Sequence, residues 1–182
     1  MRLRTQLAMV AVVAALLVAS ANAQVRNSGA SPIALNAVLT QSLSVNLSGN
    51  AVNFNLVASS ANNPGSTTVT ATTSWVLNNL VSLVSLYAFF GSSTSALTDG
   101  AGDNIPSADF QISDNGGAFA ALTNTVALGG ANAGLNLFNT LVFGNNKGTH
   151  TDVMKFNINL SPLPNLPPGD YTGTLTIQAQ AI

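Results

Sequence analysis

Hydrophobic and polar positions alternate with a period of two along nearly the whole chain after residue 23. That period places every second side chain on one face of an extended strand. Ile33, Leu35, Ala37 and Leu39 alternate, as do Leu43, Val45 and Leu47, then Val52, Phe54 and Leu56. From Thr67 to Leu77, Val69, Ala71, Trp75 and Leu77 share one face, with Thr68, Thr70, Thr72 and Ser74 on the other. Val81 to Phe90 is apolar on both faces, the pattern of a central strand. Ala108 to Ile112 and Ala118 to Leu122 flank Asp114-Asn115-Gly116-Gly117, whose Asn-Gly pair favours a tight hairpin. Leu135 to Phe143, Asp152 to Leu160 and Tyr171 to Ile182 complete the set, with Met154, Phe156, Ile158 and Leu160 on one face.

Gly, Pro and Asn clusters separate these runs: Asn62-Asn63-Pro64-Gly65, Gly129-Gly130, Gly144-Asn145-Asn146, and Pro162 through Gly169. The last of these is a connection between sheets, since Pro does not serve inside a central ladder. Good helix formers at helical spacing are missing. Many short strands between such turns predict an all-β fold, an antiparallel Ig-like β-sandwich, with a small β-barrel or jelly roll as the alternative.

The N-terminus follows a different pattern. Arg2 and Arg4 precede an uncharged apolar run from Leu7 to Ala19, and Ser20-Ala21-Asn22-Ala23 offers the small residues a signal peptidase reads. Residues 1–23 are expected to be a cleaved signal peptide. The apolar run of 13 residues is short of the roughly 20 a membrane helix needs. No membrane span is expected after cleavage. Residues 24–182 are expected to form a single domain, with 24–40 an N-terminal extension or a donated strand. The protein is then secreted or on the cell surface, passing through the periplasm if the source is Gram-negative.

Composition narrows the chemistry. From residue 24 onward there are three basic and six acidic side chains, one histidine, no glutamate and no cysteine. So few acids, bases and metal ligands argue against an enzyme. The absence of clustered Lys and Arg argues against nucleic acid. Without disulfides, stability must come from packing and hydrogen bonds. Low charge removes the repulsion that keeps copies apart, which suits a protein meant to assemble.

Few residues are candidates for ligands. Asp99-Gly100-Ala101-Gly102-Asp103-Asn104 places oxygen ligands on a Gly-rich loop, with Asp109 and Asp114 downstream. Asp99, Asp103 and Asn104 are the candidate Ca²⁺ ligands, against the plainer reading of a polar turn. No other cofactor is expected. His150, in the polar stretch 145–152, reads as part of a solvent-facing turn, and no Gly-x-Ser-x-Gly elbow accompanies it. Trp75, Tyr87, Phe89 and Phe90 offer an aromatic platform for sugars, although Trp75 is in phase with core positions.

The closing stretch Leu166-Pro167-Pro168-Gly169-Asp170-Tyr171-Thr172-Gly173-Thr174-Leu175-Thr176-Ile177 resembles the end of secreted β-sandwich subunits of the spore coat protein U-like and chaperone–usher pilus type. In those subunits a Pro-Gly turn and a Tyr lead into an alternating final strand. The resemblance covers about a tenth of the chain, and the cysteine pair such subunits often carry is absent. It implies a periplasmic chaperone, an outer-membrane usher and assembly by donated strands. Ile33, Leu35, Ala37 and Leu39 are the candidate assembly residues. They are either a donor for a neighbour's groove or an ordinary first strand of their own sheet, and alternation alone favours the second. The expected function is therefore structural: a surface pilus, filament or coat subunit that self-assembles. An adhesin or carbohydrate-binding module is the alternative.

Overall fold

The structure, a computed structural model, describes residues 33–38 and 40–182. The expected signal peptide lies outside the described residues. The chain divides into two compact units, Met1–Val38 and Leu39–Ile182. In the first, residues 33–38 have no regular secondary structure and are exposed. The alternation of Ile33, Leu35 and Ala37 thus forms no strand, contrary to the expectation of an ordinary first strand, and Leu39 lies outside the described residues.

The second unit is built from antiparallel strands. They are β1 (Ser42–Leu47), β2 (Asn63–Pro64), β3 (Val69–Phe89), β4 (Leu97–Thr98), β5 (Asn104–Ile105), β6 (Phe110–Asp114), β7 (Ala120–Ala121), β8 (Gly134–Ile158) and β9 (Thr176–Ala181). The only helical turn among the described residues is a 3-10 turn at Ser107–Asp109. It occupies the place where the pattern predicted the start of a strand at Ala108.

Two long strands organise everything else. β3 runs 21 residues and β8 runs 25, paired from Val69↔Met154 to Phe89↔Gly134. The sequence pattern predicts four strands here, 67–77, 81–90, 135–143 and 152–160, and a turn at Gly144-Asn145-Asn146. The structure instead runs each pair together. The Asn-Gly cluster marks a β-bulge, where register slips between Asn78 and Val81 with Gly144 at φ 63°. A bulge bends and twists a ribbon without ending it.

The bend folds the ribbon onto itself. Phe138 and His150 are twelve residues apart on β8, which would separate them by about 40 Å in a straight strand. Their rings nevertheless stack at 3.6 Å, and Phe138 also stacks on Trp75 at 6.4 Å. One layer therefore contains the first half of β3 and the second half of β8, flanked by β1, β2, β6 and β7. The other contains the second half of β3 and the first half of β8, flanked by β9. This is the all-β sandwich that the alternation predicted.

The core lies between these layers. Val69, Ala71, Met154, Phe156 and Ile158 from one layer meet Leu86 and Ala88 from the other in a single buried cluster. Trp75, Leu77, Val84 and Val142 form a smaller cluster near the bend. Trp75 is thus a core residue, in phase with Val69, Ala71 and Leu77 as its spacing predicts. Its indole lies across the strand over Gly148, where a Cβ would come within 2.4 Å of the ring. Only glycine leaves room for that close approach.

The hairpin at Asp114–Gly117 forms as its chemistry requires. Asn115 and Gly116 both have positive φ, 48° and 78°, and Gly117 N–H donates to the Asp114 carbonyl at 2.8 Å. These are the angles of the type I′ turn that joins right-twisted strands. The predicted strand at Val52–Leu56 is reduced to one isolated bridge, Phe54↔Gly65. Residues 49–56 line one side of a groove in the second unit.

Candidate functional site

A groove of about 980 Å³ runs into the core between two extended segments, residues 49–56 and 169–175. Its floor is Phe90, Phe110, Met154, Phe156 and Ile158, all buried apolar side chains. Along the first wall Val52, Phe54 and Leu56 are half-buried and turned to the core, while Asn53 and Asn55 face water. Along the second, Tyr171 and Leu175 pack against the same cluster.

The main chain of each wall is satisfied on its far side. The Asn53 carbonyl accepts from Ser66 N–H at 2.8 Å, and Asn53 N–H donates to Ser66 Oγ at 3.1 Å. Thr172 exchanges two backbone bonds of 2.9 Å with Thr98. In an extended strand, successive residues direct their N–H and C=O groups to opposite edges. The peptide groups of Phe54 on one wall, and of Tyr171 and Gly173 on the other, therefore face the groove side. The result is a slot with an apolar floor and main-chain donors and acceptors on both sides. An extended segment can be held by such a slot through main-chain bonds and alternate side chains.

The loop of Asp99, Asp103 and Asn104 closes the β4–β5 hairpin beside this slot. Asp99 Oδ1 accepts from the N–H groups of Ala101, Gly102 and Asp103 at 2.8, 3.1 and 3.0 Å, and Asn104 Nδ2 donates to the Gly102 carbonyl. The Ala101 N–H above all holds the Asp99 carboxyl below the usual carboxylate range, against the opposing effect of partial burial. The carboxylate thus stabilises its own turn. Asp109 and Asp114 lie on other elements. Among the described residues no group of three or more His, Cys, Asp or Glu side chains gathers for a metal ion.

His150 is not in a solvent-facing turn. It sits on β8, half-buried, with Nε2 3.0 Å from Oδ1 of Asp152, which is 0 % exposed. Alternation continues through residues 145–152, so Asp152 shares the buried face of Met154 and Phe156. Asn115 Nδ2 reaches both Asp114 Oδ2 at 3.2 Å and Asp152 Oδ1 at 3.4 Å. Asp114 Oδ1 and Asp152 Oδ2 are buried without a protein donor. Burial first, then the charge and hydrogen bonding of Asp152, push the Asp114 carboxyl above its ordinary value, while the charge of His150 pulls it back. Protonation of Asp114 would give these two oxygens the donor they lack.

The sign for stability follows from that direction. A carboxyl raised in the folded state stabilises the fold below its ordinary value, near 3.8, and loses that contribution as pH rises through the raised value. Asp114→Asn keeps a donor at every pH. It is expected to raise the unfolding midpoint at pH 7 and to have little effect at pH 3, as measured by thermal melts at both. An equal shift at the two pH values would count against this pH linkage.

The aromatic platform does not form. Trp75, Phe89 and Phe90 are buried and Tyr87 is half-buried, so the four offer no flat face to a sugar. Among the described residues no helix is long and apolar enough to cross a membrane. Comparison with protein-family models gives no match, and comparison with curated proteins gives none either.

Proposed function

We propose that this chain is an exported structural protein, a surface pilus, filament or coat subunit, whose copies join by strand donation. The segment Ile33 to Leu39 of one copy fills the groove of the next. The single observation that carries the reading is the slot itself, apolar below and edged by main-chain groups on both sides. An apolar void of that size forfeits packing contacts that an inserted strand restores.

The donor fits in kind and in length. Residues 33–39 and the wall 169–175 are each seven residues long, about 23 Å when extended. Ile33, Leu35, Ala37 and Leu39 offer four apolar side chains to one face, and Leu35 is 90 % exposed on its own chain. The resemblance of residues 166–177 to pilus and coat subunits supports the same mode, with a periplasmic chaperone and an outer-membrane usher as further partners. The N-terminal signal supports export. No catalytic group is needed for such a role.

Purified protein from which residues 1–23 have been removed is expected to form high-mass species or fibres in negative-stain microscopy and sedimentation. The double substitution Leu35→Asp, Leu39→Asp is expected to abolish them while leaving the β circular dichroism intact. Fibres that persist in the double variant would overturn donation by this segment.

A further inference from the structure

A second surface points to another contact, independent of the groove. In the layer formed by β9, the second half of β3 and the first half of β8, register places Val81 opposite Phe143 and Leu83 opposite Leu141. Leu83 also exchanges backbone bonds with Ile182. These five side chains share the outer face of the sheet, away from the face where Val84 and Leu86 enter the core. Val81, Leu141, Phe143 and Ile182 are 53, 59, 64 and 70 % exposed. A contiguous apolar patch of this kind marks an interaction surface.

The patch adjoins an open strand edge. β8 pairs with β3 on one side, and on the other it meets β6 only from Met154 to Ile158. Asn124 bridges Gly134, so between Leu135 and Phe143 no described strand takes that edge. Proteins guard such edges with charge, Pro or short strands. This one has no such guard. Residues 115–146 contain neither a charged side chain nor a Pro, and β3 and β9 contain no charged side chain.

We propose that two copies of the chain associate side by side through this edge, β8 pairing antiparallel with β8 of a second copy and the apolar patches meeting alongside. An open edge of this length takes an extended strand. An uncharged sheet gives no steering to a charged partner and no repulsion to an identical one. Antiparallel pairing of identical strands satisfies both about a two-fold axis, each edge being the complement of the other. The contact would link subunits laterally, whereas strand donation links them head to tail.

The test uses the Leu35→Asp, Leu39→Asp protein, in which donation is removed, so that failure here is distinct from failure of the groove reading. Sedimentation over a concentration series is expected to show a twofold rise in mass, lost when Leu141→Lys is added. Because the chain has no cysteine, Leu141→Cys reports proximity cleanly: a short bismaleimide is expected to link it into covalent dimers, and Thr123→Cys, exposed elsewhere, is not. Circular dichroism unchanged from the parent confirms folding of each variant, and the cysteine pair stands if the lysine variant does not fold. A monomer at every concentration, or equal crosslinking at both cysteines, overturns the proposal. So does binding of the patch to zwitterionic lipid vesicles without dimer formation, which would assign it to a membrane.

Discussion

A synthetic peptide spanning residues 31–41 is expected to raise the unfolding midpoint of the Leu35→Asp, Leu39→Asp protein by roughly 5–10 °C when supplied at about 100 times its dissociation constant. The argument is one of linkage. The peptide has a site only while the slot exists, so its binding free energy adds to the folded state alone. At that concentration the gain is about 2.7 kcal/mol. A domain of this size shifts by about 2–4 °C per kcal/mol. Specificity comes from alternation, because Ile33, Leu35, Ala37 and Leu39 meet Phe90, Phe110, Met154 and Phe156 only if every second residue points down. A peptide carrying the two Asp substitutions is expected to give no shift, since each buries an unpaired charge on an apolar floor. Equal shifts from both peptides would show that the slot does not select this strand.

Phe110→Ala is expected to cost about 3–5 kcal/mol in chemical denaturation. Phe110 is the hub of the aromatic core. Its ring meets Phe90 edge-on at 5.2 Å, Phe54 edge-on at 5.8 Å and Phe156 at 6.0 Å. These partners come from β8, from the residue just past β3 and from the bridging segment at Phe54, so one side chain ties both layers to the groove wall. Truncation leaves a cavity that three rigid rings cannot collapse to fill. Because Phe54 loses its contact, the first wall should also loosen, and the peptide shift should fall in the same variant. A loss below about 1 kcal/mol would mean that the three rings repack around the smaller side chain.

Much of this was legible in the residues themselves. The faces of Val69 to Leu77 and of Met154 to Leu160 are buried as their spacing predicts, and the type I′ hairpin sits where Asn115-Gly116 demanded it. The misses share a cause. Gly144-Asn145-Asn146 has the composition of a turn, and a bulge uses the same residues. Local propensity does not distinguish a strand that ends from one that bends, because the difference lies in the partner. His150 and Asp152 were hidden for the same reason. Once the strand continues through residues 145–152, alternation carries Asp152 inward, and a polar stretch conceals a buried carboxylate beside His150.

The groove was less legible still. Val52, Phe54 and Leu56 alternate as well as any strand here, yet they pair only at one bridge. Nothing local distinguishes them from β1. What the chain determined alone was the period of two, the near absence of charge and the tight hairpin, because each depends on neighbours within a few residues. The tertiary structure alone decided that two long strands fold over on themselves and that a groove is left between residues 49–56 and 169–175. Those outcomes depend on which distant segments reach one another, and backbone pairing over such distances leaves no periodic trace in the residues that make it.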